Sequence, residues 1–276
     1  MKEPLPITLL RHGVLILFSA LAVYPALTVL SISLRPGNRL RSTDLAVIPA
    51  DWTLANYVDL FTAQPFLAWL GNSLLVATVV TVTGVSLASI AGYAFSRYRF
   101  TGRRTMMLAI LTTQMFPATM LLLPLYILIA RLGLVNTYLG LAVFYTSTAL
   151  PFCVWQMKGF YDTIPAALEE AARIDGCSRA AAFRRVILPL ATPGLAITAL
   201  FSFMTAWSEY IVAAQVMQDE AMFTLPLGIK GFQASLSSQW GLYAAASLVV
   251  SLPVVVLFLL VSRWLVNGLT LGGVKE

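Results

Sequence analysis

The sequence predicts an all-α membrane protein of six transmembrane helices with one structured helical loop on the cytoplasmic side, and three observations carry that prediction. The 276 residues are 59% hydrophobic and 11% charged, against roughly 45 to 50% and about 25% in soluble domains. Mean hydropathy is +0.82, so a water-soluble fold would have to expose far more apolar surface than monomers tolerate. The charges also punctuate the chain, leaving six uncharged intervals that reach the roughly 20 residues needed to cross a hydrocarbon core.

Those intervals are 13–34, 60–96, 105–130, 132–157, 186–208 and 231–262. The second and last exceed one span and trim to about 66–96 and 242–262. The first follows Lys2 and Arg11, but its uncharged run is longer than the roughly 7 to 15 residues of a signal-peptide core, and it reads as a retained anchor. Pro117 and Pro124 interrupt the third interval, either as a pore-lining bend or as tolerated packing. The chain reads as a single membrane domain, 1–276.

Orientation follows from the cations. Thirteen of the 18 Lys and Arg lie in the N-terminus, the second and fourth loops and the C-terminus, and five lie in the alternate segments. The positive-inside rule then puts both termini in the cytoplasm. A net charge of +6 needs no nucleic acid, because the cations sit beside spans, where they meet headgroups. In the second loop, Arg97, Arg99, Arg103 and Arg104 fit headgroup anchoring or a partner contact. The first outer loop, Arg35 to about Gln64, reads as irregular with a short helix near Leu54 to Phe61.

Composition also excludes chemistry. One His and two Cys provide neither a His-based triad nor a metal cluster. No phosphate-binding GxxxxGKS or GxxxxGKT motif is present, so the sequence offers no nucleotide-binding loop of that type. No Asp, Glu, Lys, Arg or His falls within the six intervals, which disfavours an intramembrane enzyme and an ion-coupled standalone carrier.

The fourth loop, 158–185, has five cations and four acids in 28 residues. Asp162 or Thr163 can cap a helix, with Pro165 in its first turn and Glu169 and Glu170 near its positive end. Gly176 can end it in a left-handed conformation. Ser178 can cap a second helix that runs into Val186, Ile187 and Leu188, until Pro189 bends the start of the fifth span. Ala167, Leu168, Ala171 and Ala172 make a stripe of mostly small side chains that another surface can approach closely. The whole reads as either a lever or a hairpin lying on headgroups.

Glu170-Ala171-Ala172, three residues, Gly176, nine residues and then Val186-Ile187-Leu188-Pro189 resemble the EAA loop of ABC importer permeases, with Val186 where Ile is usual. More narrowly, SISLRP (31–36), AGYAFSRYRFTG (91–102), Pro124-Leu125-Tyr126, LVNTY (134–138) and RWLVNGLTLGGVK (263–275) resemble the carbohydrate-uptake branch, in particular the smaller membrane subunit of maltose/maltodextrin importers.

The resemblance implies a sugar-importer subunit of a bacterial inner membrane. It implies four kinds of partner: a second, non-identical permease, two cytoplasmic ATPase subunits that bind ATP and Mg, an external sugar-binding protein, and the bilayer. No cofactor is expected on this chain. Glu170, Ala171, Ala172, Asp175, Gly176, Leu188 and Pro189 would form the ATPase-coupling site. Asn72, Gln114, Tyr145, Gln156 and Trp207 are of the types that line a sugar path, although buried amides also bond between helices. Glu209 reads as part of a solvated outer loop, and loop 209–230 as the surface that meets the binding protein. The tail, 268–276, reads as either frayed or reaching toward the ATPases. A permease for another solute, such as glycerol phosphate, is the alternative; the lack of a pore Arg or Lys favours a neutral sugar.

Overall fold

The computed structural model describes residues 5–38, 40, 48–233 and 238–271. Every regular element among them is helical. Residues 41–47 of the first outer loop and 272–276 of the tail lie outside the described residues, so the expectations placed on them are not addressed. The described chain forms two compact units, 1–67 with 228–252 and 68–227 with 253–276.

In the first unit, α1 (Leu5–Ser33) is an apolar helix that buries nothing within its most hydrophobic 18 residues. A helix that is apolar on all sides needs a nonaqueous environment, and the bilayer provides it. It starts earlier than the predicted interval because Arg11 and His12 lie within its first turns. The predicted short helix is α2 (Ala55–Thr62). Asn56 fastens it, its Nδ2 donating to Ser33 O at 2.8 Å and to Arg35 O at 3.0 Å.

The second unit contains most of α3 (Phe66–Arg97). With 32 residues it is about 48 Å long, against a hydrocarbon core of about 30 Å, so an end must protrude. The helices α6 (Tyr138–Thr163) and α13 (Trp240–Leu271, shared between the units) are also long and apolar enough to cross. The fourth span begins at Tyr138 rather than 132, because Thr137 Oγ1 accepts from Gly140 N and caps the helix there. It runs on to Thr163, so Asp162 and Thr163 close this helix and do not cap the next one.

The third predicted interval is not one helix. It divides into α4 (Arg103–Thr113) and α5 (Ala118–Arg131). Pro117 has ψ 131°, outside the helical range, and a residue preceding proline is itself biased away from helix. Pro124, by contrast, is accommodated inside α5.

The fifth interval is also bent. The segment 179–190 meets α10 (Thr192–Trp207) at 77°. Among the described residues, four single helices are long and apolar enough to cross, and five if the bent pair counts as one span. The sixth crossing of the sequence reading would have to come from the broken α4 and α5.

Candidate functional site: a clamped helical corner

Loop 158–185 is helical over most of its length. Pro165 stands at the N-cap of α7 (Ala166–Ile174), where its missing N–H costs no helical bond. Past Ile174 the chain closes in a Schellman motif: Gly176 N donates to Arg173 O at 3.1 Å and Cys177 N to Ala172 O at 3.0 Å. Gly176 has φ +90°, a conformation that side-chain-bearing residues adopt only under strain, and so the predicted corner is in place. Ser178 then caps α8 (Arg179–Ala182), its Oγ accepting from Ala181 N at 3.3 Å.

A π-helical stretch follows, from Phe183 to Ile187, and leads into α9 (Leu188–Leu190). Pro189 has no N–H to return to the ladder, and the widened turn, with Leu188 N bonding to Phe183 O, absorbs that defect. The chain bends at Ala191, immediately after.

The corner is fastened to α3. Tyr93 OH donates to Glu169 Oε1 at 2.5 Å. Arg97 Nε lies 3.4 Å from Glu169 Oε2, an ion-pair distance without hydrogen-bond alignment, and both side chains are only 12% exposed. Arg97 Nη2 donates to Ile164 O at 2.7 Å, and Ser96 Oγ to Asp162 Oδ1 at 2.7 Å. Asp162 also pairs with Lys158 at 2.5 Å. Tyr93 packs on Phe183 with ring centroids 4.4 Å apart, and Arg179 lies over the Tyr98 ring at 5.6 Å. Beneath these, Cys153, Met157, Tyr161, Ile187 and Ala191 are fully buried.

The coupling residues named from the sequence separate into two faces of α7. Ala172 is buried, on the same side as Glu169, where it packs against its own chain. Glu170 and Ala171 are exposed, as are Asp175 and Gly176 beyond the helix end. Ile174 is 86% exposed. Leu188 is half-buried and Pro189 exposed.

Arg97, read with Arg99, Arg103 and Arg104 as a headgroup anchor or a partner contact, instead belongs to the clamp. Glu169 and Tyr93 were missed. The signal that could have found Glu169 is its i, i+3 spacing from Ala172, which puts it on the inner face while Glu170 points away.

Each residue of the candidate sugar path has its own bonding partners or burial. Asn72 Nδ2 donates to Ala221 O and Phe223 O, each at 2.9 Å, and its Oδ1 accepts from Tyr138 OH at 2.7 Å. Gln114 ends α4 and donates to Thr148 O at 3.1 Å. Tyr145 is 1% exposed and donates to Glu209 Oε2 at 2.8 Å. Trp207 is buried and stacks on Phe203. Gln156 Oε1 is buried without a hydrogen-bond partner among the described residues.

Glu209 itself is not in a solvated loop as predicted. It accepts from Val212 N at 2.9 Å and Ala213 N at 3.2 Å as well as from Tyr145, capping α11 (Ile211–Val216), because a carboxylate satisfies the free N–H groups of a first turn.

Comparison with known proteins agrees with this architecture. The chain is 38% identical over 284 residues to the maltose/maltodextrin transport system permease protein MalG of Escherichia coli K12, covering 96% of this chain and 95% of the relative. It is 37% identical over 263 residues to the inner membrane ABC transporter permease protein YcjP of the same strain, covering 95% and 94%. A chain from the crystal structure of a bacterial ABC transporter that imports the acidic polysaccharide alginate superposes with TM-score 0.82 at 22% identity, covering 95% of this chain and 99% of that one, which establishes the shared fold. Residues 84–270, which hold both the clamp and the corner, match a single family, and the chain belongs to it: the binding-protein-dependent transport system inner membrane components, transport subunits of ABC importers rather than enzymes.

Proposed function

We propose that this chain is a membrane-spanning subunit of an ATP-driven, binding-protein-dependent importer of a neutral oligosaccharide of the maltose/maltodextrin class, and that the corner built on α7 receives the stroke of a partner ATPase. The observation that supports this most directly is the contrast between the two faces of α7. One is locked to α3 through Glu169, while the other holds Glu170, Ala171 and an 86% exposed Ile174 outside the apolar spans. An isoleucine left in water at the tip of a rigid helix is an anchor for another surface. Small neighbours let that surface come close, and Glu170 supplies a charge-assisted contact.

The clamp turns such a contact into motion. Force applied to α7 passes through the Glu169 pair to the end of α3, and through the Gly176 corner and the π-helical stretch to the bend before α10. In this reading both termini are cytoplasmic, a second and non-identical permease completes the pore, two ATPase subunits supply and bind the nucleotide with its Mg, and an external sugar-binding protein delivers the substrate.

The test is purification of the chain from its native membrane in mild detergent, followed by reconstitution with whatever co-purifies. The expected result is co-purification of an ATPase bearing a phosphate-binding loop, with ATP hydrolysis stimulated by a maltodextrin-loaded binding protein. Hydrolysis stimulated only by another solute would keep the importer and replace the sugar. Reproducible recovery of the chain alone would overturn the coupling role of the corner.

A further inference from the structure

We propose that a cleft between α4 and α6 is a binding site for one anionic phospholipid, its phosphate held by Arg103, Arg104 and Lys158. The cleft has a volume of about 650 Å³, within the roughly 300 to 1,000 Å³ of small-ligand sites and sufficient for a glycerophosphate headgroup with the start of its acyl chains. Its lining carries those three cations and no carboxylate. Arg103 spends one N–H on Tyr98 O at 3.4 Å, and Lys158 pairs with Asp162 outside the lining. Arg104 is exposed, with no ion pair among the described residues. The cations therefore keep unused donors directed at a site of uncompensated positive charge.

Much of the remaining lining is apolar and identifies the occupant as a lipid. Leu108, Leu111 and Trp155 belong to it, with Leu108 55% and Trp155 48% exposed. A free phosphate ester has no use for such a lining, whereas an acyl chain does. The position is also suitable: Lys158 lies near the end of a helix that crosses the bilayer, and a half-exposed tryptophan beside it is the usual residue of a headgroup boundary. Three cations against one neighbouring carboxylate favour an anionic over a zwitterionic headgroup. The site also touches the clamp, because Asp162, which shares Lys158, accepts from Ser96 next to Arg97. The proposal depends on the chain lying in a membrane and is independent of the transported solute.

The experiment is native mass spectrometry of the full chain in detergent, titrated separately with phosphatidylglycerol, phosphatidylcholine and glycerol phosphate. One phosphatidylglycerol per chain should be retained at least tenfold better than phosphatidylcholine. The R103Q/R104Q variant should lose roughly tenfold or more of that retention, each cation contributing about a fivefold factor. R99Q, an exposed cation outside the lining, should stay within twofold, and Leu108→Gln, also exposed, should weaken retention several-fold. Equal retention of the two lipids, no effect of R103Q/R104Q, or an equal effect of R99Q would overturn the site. Displacement by equimolar glycerol phosphate, or no effect of Leu108→Gln, would overturn the lipid as occupant and leave a free phosphate ester.

Discussion

Arg97 and Glu169, 72 residues apart in sequence, face each other across 3.4 Å at the end of α3, each side chain only 12% exposed. A pair so far removed from water is costly to break from one side, because the remaining charge stays buried. Glu169→Gln should therefore destabilise the corner by about 3 kcal/mol and speed tryptic cleavage at the exposed Arg173 in membrane vesicles. Glu170→Gln should leave that cleavage rate unchanged, since Glu170 is exposed, yet reduce solute-stimulated ATP hydrolysis. Equal cleavage rates in the two variants would refute the division of α7 into a clamped face and a docking face.

Gly176 tests the corner itself. At φ +90° a β-branched side chain is strained by on the order of 1 to 3 kcal/mol, although no neighbouring atom would meet the added Cβ within 4 Å. The strain is thus purely of the backbone. Gly176→Val should insert normally and lose most uptake, with Gly176→Asn retaining more because asparagine tolerates left-handed conformations best. Normal uptake by the valine variant would mean that the corner bears no load.

The helical class and the placement of most spans were legible because charge punctuation and hydropathy act over long windows, and the bilayer enforces them. The Gly176 turn and the Ser178 cap were legible because each depends on one residue type at one place. What escaped the sequence depended on a neighbour distant along the chain. Whether Pro117 or Pro124 would break the third interval could not be read locally: both lie in apolar surroundings, but only Pro117 leaves the helical range. Glu209 looked like a solvated acid, yet it accepts from Tyr145, 64 residues away. The EAA pattern drew the eye to Glu170, while the adjacent Glu169, one hundred degrees round the helix, makes the internal pair.

Asn72 offers a separation of a structural role from a substrate role. Its amide donates both N–H groups to Ala221 O and Phe223 O and accepts from Tyr138 OH, tying the segment before α12 (Leu225–Lys230) to α3 and α6. Asn72→Ala should lower thermal stability by roughly 1 to 3 kcal/mol, mainly the cost of leaving the half-buried Phe223 O and Tyr138 OH unmatched. Tyr138→Phe should reproduce the smaller part of that loss, and in reconstituted transport both variants should keep an unchanged KM for the solute. A raised KM with normal stability would place Asn72 in the path.

The most stringent packing test is the crossing of α3 and α6 just below the clamp. A Cβ added at Gly92 would lie 2.8 Å from Met157 Cβ and 2.9 Å from Lys158 N. One of these contacts is backbone and the other is the root of a fully buried side chain, so neither can move aside as a flexible side-chain tip would. Gly92→Ala should therefore force the helices apart, at a cost on the order of 1 to 3 kcal/mol. The same separation would pull Arg97 away from Glu169, since Gly92 and Arg97 share one helix while Met157 and Lys158 lead into the corner. Gly71→Ala, on the same helix but with nothing within 4 Å of the added methyl, is the matched control and should be neutral or slightly stabilising. A thermal unfolding series in detergent would show the difference, and tryptic cleavage at Arg173 would report whether the clamp opens with it. If Gly92→Ala unfolds early but leaves that cleavage slow, the crossing and the clamp are independent, and the stroke proposed for α7 reaches the spans through the bend at Ala191 alone.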